Sequence, residues 1–569
     1  MRYVALACDY DGTIALHGVV DDATKAALRR LRASGRRLIL VTGRELDDLT
    51  RVCPDLTTFD RVVAENGAVL HDPHTRETRD LGPTPPDEFV AELTARGVSP
   101  LSVGRVIVAT WEPNESTVLE TIRDLQLELQ VIFNKGAVMV LPSGINKATG
   151  LRAQLEDMGL SLHNVVGIGD AENDHTFLCA CECAVAVDNA LPVLKERVDL
   201  VTEGDHGEGV TELIDRLLAT DLAELDPGLG RHHLLVGHDR DGREVRLSPY
   251  GEATLIAGPS GVGKSTITTS IIEGLCHAGY QFCVIDPEGD YQELEDAVVL
   301  RGGDEPALAE EAIQVLESVD QNLVLNLVDL GLEERPAFFQ RILPILLEMR
   351  ARTGRPHWLI IDEAHHLMPS DWQPVAQVLP GLLGSILMIT VHPEQLAPVV
   401  RERMRTLIAL GDDVESVAVA FGGGRRDVEV HPPPRPQDSA RWACVFTTGA
   451  PAVWMQPAPP RRERKRHRRK YAEGELGADK SFYFRGADRR LNLRTHNLAM
   501  FSQIAEGIDD ATWVYHLRQR DYSRWFREAI KDEALASTAS EVEEDEHLSP
   551  AESRARIRQA IEERYTSPA

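Results

Sequence analysis

At 569 residues the chain holds about three or four domains by the usual size relation. Hydrophobic residues make up 43% of it, enough for ordinary globular cores, and no run approaches the roughly 20 apolar residues of a membrane span. A formal net charge of −29 argues against a protein that coats nucleic acid along its whole surface, while leaving room for a local basic channel.

The chain enters an apolar strand at Tyr3–Ala7 without a signal-peptide pattern, and its eight cysteines show no disulfide spacing. Both features point to the reducing cytoplasm. Past that strand stands Asp9-Tyr10-Asp11-Gly12-Thr13. Sheets of this kind place ligands at the C-terminal ends of their strands. Two carboxylates one residue apart can converge there on one phosphorus. Asp9 is expected to attack and Asp11 to protonate the leaving oxygen, then activate water. Gly12 lets the chain turn away, and Thr13 can hydrogen-bond locally.

A second strand, at 37–41, ends in Thr42-Gly43-Arg44, where a hydroxyl and an N–H can hold a phosphoryl group. Lys147, in Pro142-Ser-Gly-Ile-Asn-Lys147-Ala-Thr-Gly150, offers the cation that offsets Asp9 and the phosphate. A further apolar strand ends in Asp170, Asn173 and Asp174, carboxylates suited to oxygen ligation of Mg²⁺.

These four motifs, in this order and each at a strand end, resemble the haloacid dehalogenase (HAD) superfamily. The likeness is greatest to Cof-type phosphatases with a large cap between the second and third motifs. It covers residues 1–218 and includes Asn66-Gly67-Ala68 and Ala186-Val-Asp-Asn189-Ala190. The resemblance implies Asp9 as nucleophile, Asp11 as general acid/base, and Thr42 and Lys147 as phosphate ligands. It implies Mg²⁺ held by Asp9, Asp170 and the backbone carbonyl of Asp11, with Asp174 in support. Asp188 stands where the family usually has glycine; it lies outside the chemistry and is expected to be tolerated. A cap at about 72–143 is expected to close over the site and select a small phosphorylated substrate, often a sugar phosphate in similar proteins. Cys179, Cys181 and Cys183 lack the paired spacing of zinc sites and read as buried structural thiols.

Beyond residue 231 the pattern restarts with two short strands around Asp239–Gly242. An apolar strand, Ala253–Ala257, leads into Gly258-Pro-Ser260-Gly261-Val-Gly263-Lys264-Ser265-Thr266. This is a phosphate-cradling P-loop: the backbone of Gly258 to Gly263 faces the phosphates, Lys264 reaches the β/γ oxygens, and Ser265 binds Mg²⁺. The helix that follows adds its N-terminal dipole. Strand 358–361 ends in Asp362 and Glu363. Asp362 is expected to hold Mg²⁺ through water and Glu363 to polarise the attacking water, a pairing that suits ATP hydrolysis rather than kinase chemistry.

Between them, Phe282-Cys-Val-Ile-Asp286-Pro-Glu-Gly-Asp-Tyr291 resembles the HerA/FtsK-type ATPases, which form rings. That likeness covers about 232–448 and implies a homo-hexamer. It also implies a sensor strand at Ile386–Val391 and an arginine finger among Arg401, Arg403 and Arg405, for which surface arginines are an equal reading. The module is short for a motor, which leaves room for an ATPase that senses or regulates.

The Pro-rich stretches 432–436 and 457–460 precede a run from Arg461 to Lys470 with eight Lys or Arg and one Glu. A solvated linker is the preferred reading, and a nucleic-acid contact the alternative. Aromatic residues from Phe482 to Phe526 suggest a small helical domain, with helices at 491–508 and 510–531. The acidic cluster 541–546 reads as disordered, followed by a short helix at 551–565.

The expected architecture is α/β throughout the first two parts. A HAD Rossmann-like domain with an inserted α/β cap (1–225) precedes a P-loop α/β ATPase domain (226–458). A basic linker (459–479), a small helical domain (480–536) and a charged tail (537–569) follow. The expected activity is Mg²⁺-dependent hydrolysis of a small phosphomonoester, fused to an ATP-hydrolysing module. The alternative is a nucleic-acid translocase or end-processing protein with an accessory phosphatase. A large cap obstructs long polymers and counts against end processing.

Overall fold

The apolar strands of the first two hundred residues assemble, in the computed structural model, into one largely parallel sheet. Its order is Leu200–Val201, Cys183–Ala186, Val165–Gly169, Ala5–Cys8, Arg37–Val41, Arg61–Ala64, Val69–His71, Thr78–Asp80. The first six pair in parallel and the last two antiparallel. Ala5–Cys8 and Val165–Gly169 are buried along their whole length, as central strands covered on both faces must be. They lie side by side, so the loops after Cys8 and Gly169 emerge at the same sheet end.

A separate antiparallel sheet is inserted after Thr78–Asp80, in the order Ser102–Val103, Val108–Trp111, Ala137–Pro142, Leu129–Asn134. Helices Asp87–Ala95 and Glu115–Asp124 accompany it. Phe89, Leu93, Val118 and Val138 form its own small core. This is the cap. Strand Thr78–Asp80, inside the range expected to be cap, extends the main sheet instead.

A second, eleven-stranded sheet begins with Glu244–Leu247, Leu234–Asp239, Val453–Pro457, Ala443–Thr447 and Thr406–Leu410. It continues with Ala253–Ala257, Ile386–Thr390, Trp358–Ile361, Phe282–Asp286, Leu323–Asn326 and Val298–Arg301. From Thr406–Leu410 onward the strands are parallel. Strand Ile386–Thr390 therefore stands between the P-loop strand and the strand that ends before Asp362.

The structure describes residues 1–250, 253–301, 305–372, 384–411, 414–421, 442–460, 476, 480–486, 491–530, 532–545 and 547–565. The Pro-rich stretch 432–436 and the basic run 461–470 lie outside them. The chain divides into two compact units. One is Met1–His233 with Glu317–Val319 and Leu347–Arg355; the other is Leu234–Leu316, Asp320–Leu346 and Pro356–Ala569. Among the described residues, no helix is long and apolar enough to cross a membrane.

The C-terminal aromatics are core, as expected: Trp513 stacks on Tyr522 at 4.4 Å between ring centroids, and both are fully buried. Three sequence expectations need correction here. The stretch read as one helix at 491–508 contains strand Leu493–Thr495, paired with Phe482–Phe484, before helix Leu498–Gly507. The stretch at 510–531 is two helices, Asp510–Arg518 and Asp521–Glu528, broken where Arg520 takes φ +54°. The acidic cluster read as disordered falls largely within helix Glu533–Glu544. Leu535, Ala539 and Val542 recur there at helical spacing and are buried in the same core.

Candidate functional sites

The first site forms at the shared end of the central strands. Asp9 follows Ala5–Cys8 and is 5% exposed. Lys147 opens helix Lys147–Asp157, and its Nζ donates to Asp9 Oδ1 at 2.5 Å and to Asp174 Oδ1 at 2.6 Å. Asp174 Oδ2 accepts the backbone N–H groups of Asp170 and Ala171. Thr13 Oγ1 donates to Asp170 Oδ1 at 3.1 Å. Thr42, fully buried at the end of Arg37–Val41, accepts the Arg44 N–H on its hydroxyl.

Gly12 is a position where only glycine fits. Its φ is +84°, and a Cβ there would come 2.2 Å from Asp170 Oδ2. Asn189 holds this loop by donating to the Gly12 carbonyl at 2.7 Å. Asp188, which replaces the usual glycine, is exposed and pairs with Lys195.

Asp9, Asp170 and Asp174 each bring a carboxylate oxygen within 4.8 Å of the others, and all three are buried. Burial and the neighbouring Asp174 push the Asp9 carboxyl well above the usual carboxylate range, with Lys147 pulling the other way. Asp170 is raised by the same two causes in the same order. Burial alone would lower Lys147, but Asp174 and Asp9 outweigh it and keep the ammonium charged. A cluster of oxygen donors this acidic and this dry suits a hard divalent cation such as Mg²⁺.

Asp11 stands outside that trio, its side chain partly exposed. Arg44 grips it with two hydrogen bonds of 2.6 Å, Nε to Oδ2 and Nη2 to Oδ1. Glu65 also escaped sequence reasoning. It is 1% exposed, takes φ +50°, and accepts the N–H groups of Arg105, Val106 and Ile107 at 2.9–3.0 Å. One carboxylate in the main domain thus pins the start of a cap strand. Its neighbour Asn66 was the signal at hand, and its Oδ1 accepts from Asn173. Of the three nearby thiols, Cys181 and Cys183 are buried and raised by that burial, Cys183 to about 12. Cys179 is exposed, contrary to expectation.

The second site lies in the other unit. Gly258 has φ +153°, and a Cβ there would meet the Leu410 carbonyl at 2.4 Å. Gly261 and Gly263 also have positive φ, and Ser260 is exposed on the loop. Lys264 starts helix Lys264–Ala278 and donates to the carbonyls of Gly258 and Pro259, both at 2.7 Å. Ser265 is half-buried and Thr266 exposed in its first turn. Asp362 and Glu363 are both 7% exposed. Burial, then Glu363 and the acids of the 286–290 segment, hold the Asp362 carboxyl well above its usual range. Glu363 takes φ +40°, a strained conformation for a non-glycine residue and one that clusters at functional sites. Its Oε2 lies 3.4 Å from His365 Nδ1, which sits 3.0 Å from Thr390 Oγ1 on the strand expected to be the sensor. Asp286 accepts the N–H groups of Gly289, Asp290 and Tyr291, which explains why the motif closes into a tight loop.

The fold and first site define a class, and the sequence relationships agree with it. Residues 6–91 and 105–214 match the haloacid dehalogenase-like hydrolases. A phosphoglycolate phosphatase of Methanothermobacter thermautotrophicus is 37% identical over 224 residues, covering 38% of this chain and 98% of that protein. The N-terminal part of the chain belongs to this hydrolase family. A phosphoglycolate phosphatase of Methanosarcina acetivorans is 30% identical, covering 38% and 97%. A haloacid dehalogenase-like hydrolase structure from Bacteroides thetaiotaomicron is 21% identical, covering 38% of this chain and all of that one, with a TM-score of 0.34. Residues 251–343 match the central domain of helicase HerA. The protein is thus a HAD-type phosphatase fused to a HerA-like domain.

Proposed function

We propose that the N-terminal part is a Mg²⁺-dependent phosphomonoester hydrolase acting on a small phosphorylated metabolite. The observation that carries this is Lys147 clamped between Asp9 and Asp174 at the end of the central strands. The names of the relatives make 2-phosphoglycolate the first substrate to try. Asp9 attacks phosphorus through a carboxylate oxygen, and the P–O bond to the leaving group breaks. Asp11, released from Arg44, gives its proton to the leaving oxygen and then takes one from the water that opens the aspartyl phosphate. Thr42 and Lys147 bind the phosphoryl oxygens. Asp9, Asp170 and the Asp11 carbonyl would hold Mg²⁺, with Asp174 in support, and the ion would supply positive charge for the transferring group.

For the second site the proposal is ATP binding at 258–266 and hydrolysis through Asp362 and Glu363. The likeness to HerA supports a homo-hexamer, with nucleic-acid translocation as the alternative to regulation of the phosphatase. Domain limits at about 225 and 458, and a cytoplasmic location, belong to the same proposal. The test is a panel of phosphomonoesters with and without Mg²⁺ and ATP, on the parent and on Asp9→Asn. Mg²⁺-dependent turnover that vanishes in Asp9→Asn supports the reading. Turnover that persists in the variant removes Asp9 from the role of nucleophile.

A further inference from the structure

The cap hairpin Leu129–Asn134/Ala137–Pro142 turns in two residues, Lys135 and Gly136. Both have positive φ, +47° and +85°. A two-residue turn of this kind favours Asn, Asp or Gly at its first position. Lysine there carries backbone strain, and strain of that sort collects at functional sites.

The lysine is aimed inward. Its ammonium pairs with the buried carboxylate of Asp170. It also lies over Gly12: a Cβ built on that glycine would be 3.0 Å from Lys135 Nζ. Among the described ion pairs, this is the one that joins the cap to a carboxylate of the phosphatase site. Other cap contacts fall outside the chemistry, such as Arg105 with Asp80 and Ser102 with Glu45. The hairpin is tight and its strands are fully paired, so the cation is delivered by a rigid element.

The main domain already provides for the phosphoryl group through Asp9, Thr42 and Lys147. What enters from the cap side must meet the leaving group. We infer that Lys135 is a specificity residue, selecting phosphomonoesters whose leaving group carries a carboxylate close to the ester oxygen. This rests on the phosphatase reading of the same site. A carboxylate one or two carbons from the bridging oxygen presents an anion that the ammonium can take up as a charge-assisted hydrogen bond. A neutral alcohol or sugar leaving group offers no such partner.

The experiment compares 2-phosphoglycolate with p-nitrophenyl phosphate on the full chain and on Lys135→Asn, Lys135→Met and Lys135→Arg. Asn suits the turn, so the hairpin is preserved. The ratio of kcat/KM for 2-phosphoglycolate over p-nitrophenyl phosphate is expected to fall about 10–100-fold in Lys135→Asn and Lys135→Met, mainly through KM, with partial recovery in Lys135→Arg. A binding arm uses titration calorimetry of 2-phosphoglycolate on Asp9→Asn, with and without Lys135→Asn, and should show a comparable loss of affinity. An unchanged ratio, or unchanged affinity, overturns the assignment. A parent protein that hydrolyses p-nitrophenyl phosphate but shows no preference for the carboxylate ester overturns it while leaving the phosphatase reading intact. Hydrolysis of neither ester removes both.

Discussion

Lys147 and Asp9 meet at 2.5 Å in a place almost without water, and the same ammonium serves Asp174 at 2.6 Å. One cation therefore balances two buried carboxylates from different strand ends. It fixes their positions and offsets part of the burial and repulsion that raise the Asp9 carboxyl. Replacing it separates the structural from the chemical consequence. Lys147→Met should lower stability by about 3 kcal/mol, since it leaves buried acids uncompensated. It should cut kcat about 100-fold or more through loss of charge stabilisation. Thermal denaturation and phosphatase kinetics measure the two effects. A stable variant with normal turnover would show that Lys147 is not the phosphate-site cation.

Glu65 predicts how the cap is held. Its carboxylate collects three N–H groups from residues 105–107, and Gly104 packs against it closely enough that a Cβ would sit 2.8 Å from its carboxyl carbon. Glu65→Ala strands those donors. A loss of about 3 kcal/mol is expected, together with faster proteolytic cleavage within the cap connections. Cleavage no faster than in the parent would show that the cap does not depend on this anchor.

A pH effect follows from His232. Burial pushes its imidazole down to about 4, against the opposing pull of Glu182, whose Oε2 lies 3.6 Å away. Arg2 and His163 share the same carboxylate. In the unfolded chain the group titrates near its ordinary value of about 6.5. Between those values the unfolded state binds the proton and the folded state does not. Stability is therefore undiminished above about pH 6.5 and falls as the pH drops toward 4, by about 2 kcal/mol from this group at pH 5 and about 3 kcal/mol at pH 4. Denaturation midpoints from pH 7.5 to 5 should decline in the parent and decline less in His232→Gln. Parallel declines would assign the pH dependence elsewhere.

What the sequence made legible was chemistry at strand ends. Asp9, Thr42, Lys147 and Asp170 each follow an apolar run or sit in a short motif, so period and punctuation locate them. Residues that act across the chain were not legible in that way. Lys135 reaches Asp170 only because a two-residue turn aims it. Glu65 depends on a backbone turn with φ +50° and on partners forty residues away. Arg44 was part of a motif, but its grip on Asp11 needs three dimensions. In the C-terminal part, aromatic content identified a core but not its breaks. Leu493–Thr495 becomes a strand because Phe482–Phe484 is there to pair with it. Glu533–Glu544 is helical because Leu535, Ala539 and Val542 have a core to enter, which outweighs the repulsion among its acids.

The basic run 461–470 offers a direct test of nucleic-acid engagement. It carries eight Lys or Arg against one Glu in a chain of net charge −29. If it contacts phosphates, neutralising those eight should weaken DNA binding and flatten its salt dependence, since each contact releases about one counterion. Filter binding at several salt concentrations reads both. Absent or unchanged binding fits a linker and favours the regulatory reading of the HerA-like domain.

The sharpest prediction for the second site concerns Glu363. Asp362 Oδ1 accepts the Glu363 N–H at 2.9 Å, and the Glu363 carboxylate lies beside His365, which in turn contacts Thr390. On the proposed reading the two acids do different work. Asp362, raised by burial and by its acidic neighbours, calls for a cation beside it; Glu363 has polar company suited to orienting a water. Glu363→Gln keeps shape and hydrogen bonding but removes the proposed base. ATP affinity should stay within about 3-fold of the parent while turnover falls about 100-fold or more. Lys264→Ala should instead lose nucleotide affinity, since Lys264 is the proposed phosphate cation of the loop. Fluorescent-nucleotide binding and phosphate release distinguish the two variants. Glu363→Gln turning over ATP at the parent rate would move the catalytic base away from this strand end, and the Asp362–Glu363 pair would then serve the metal alone.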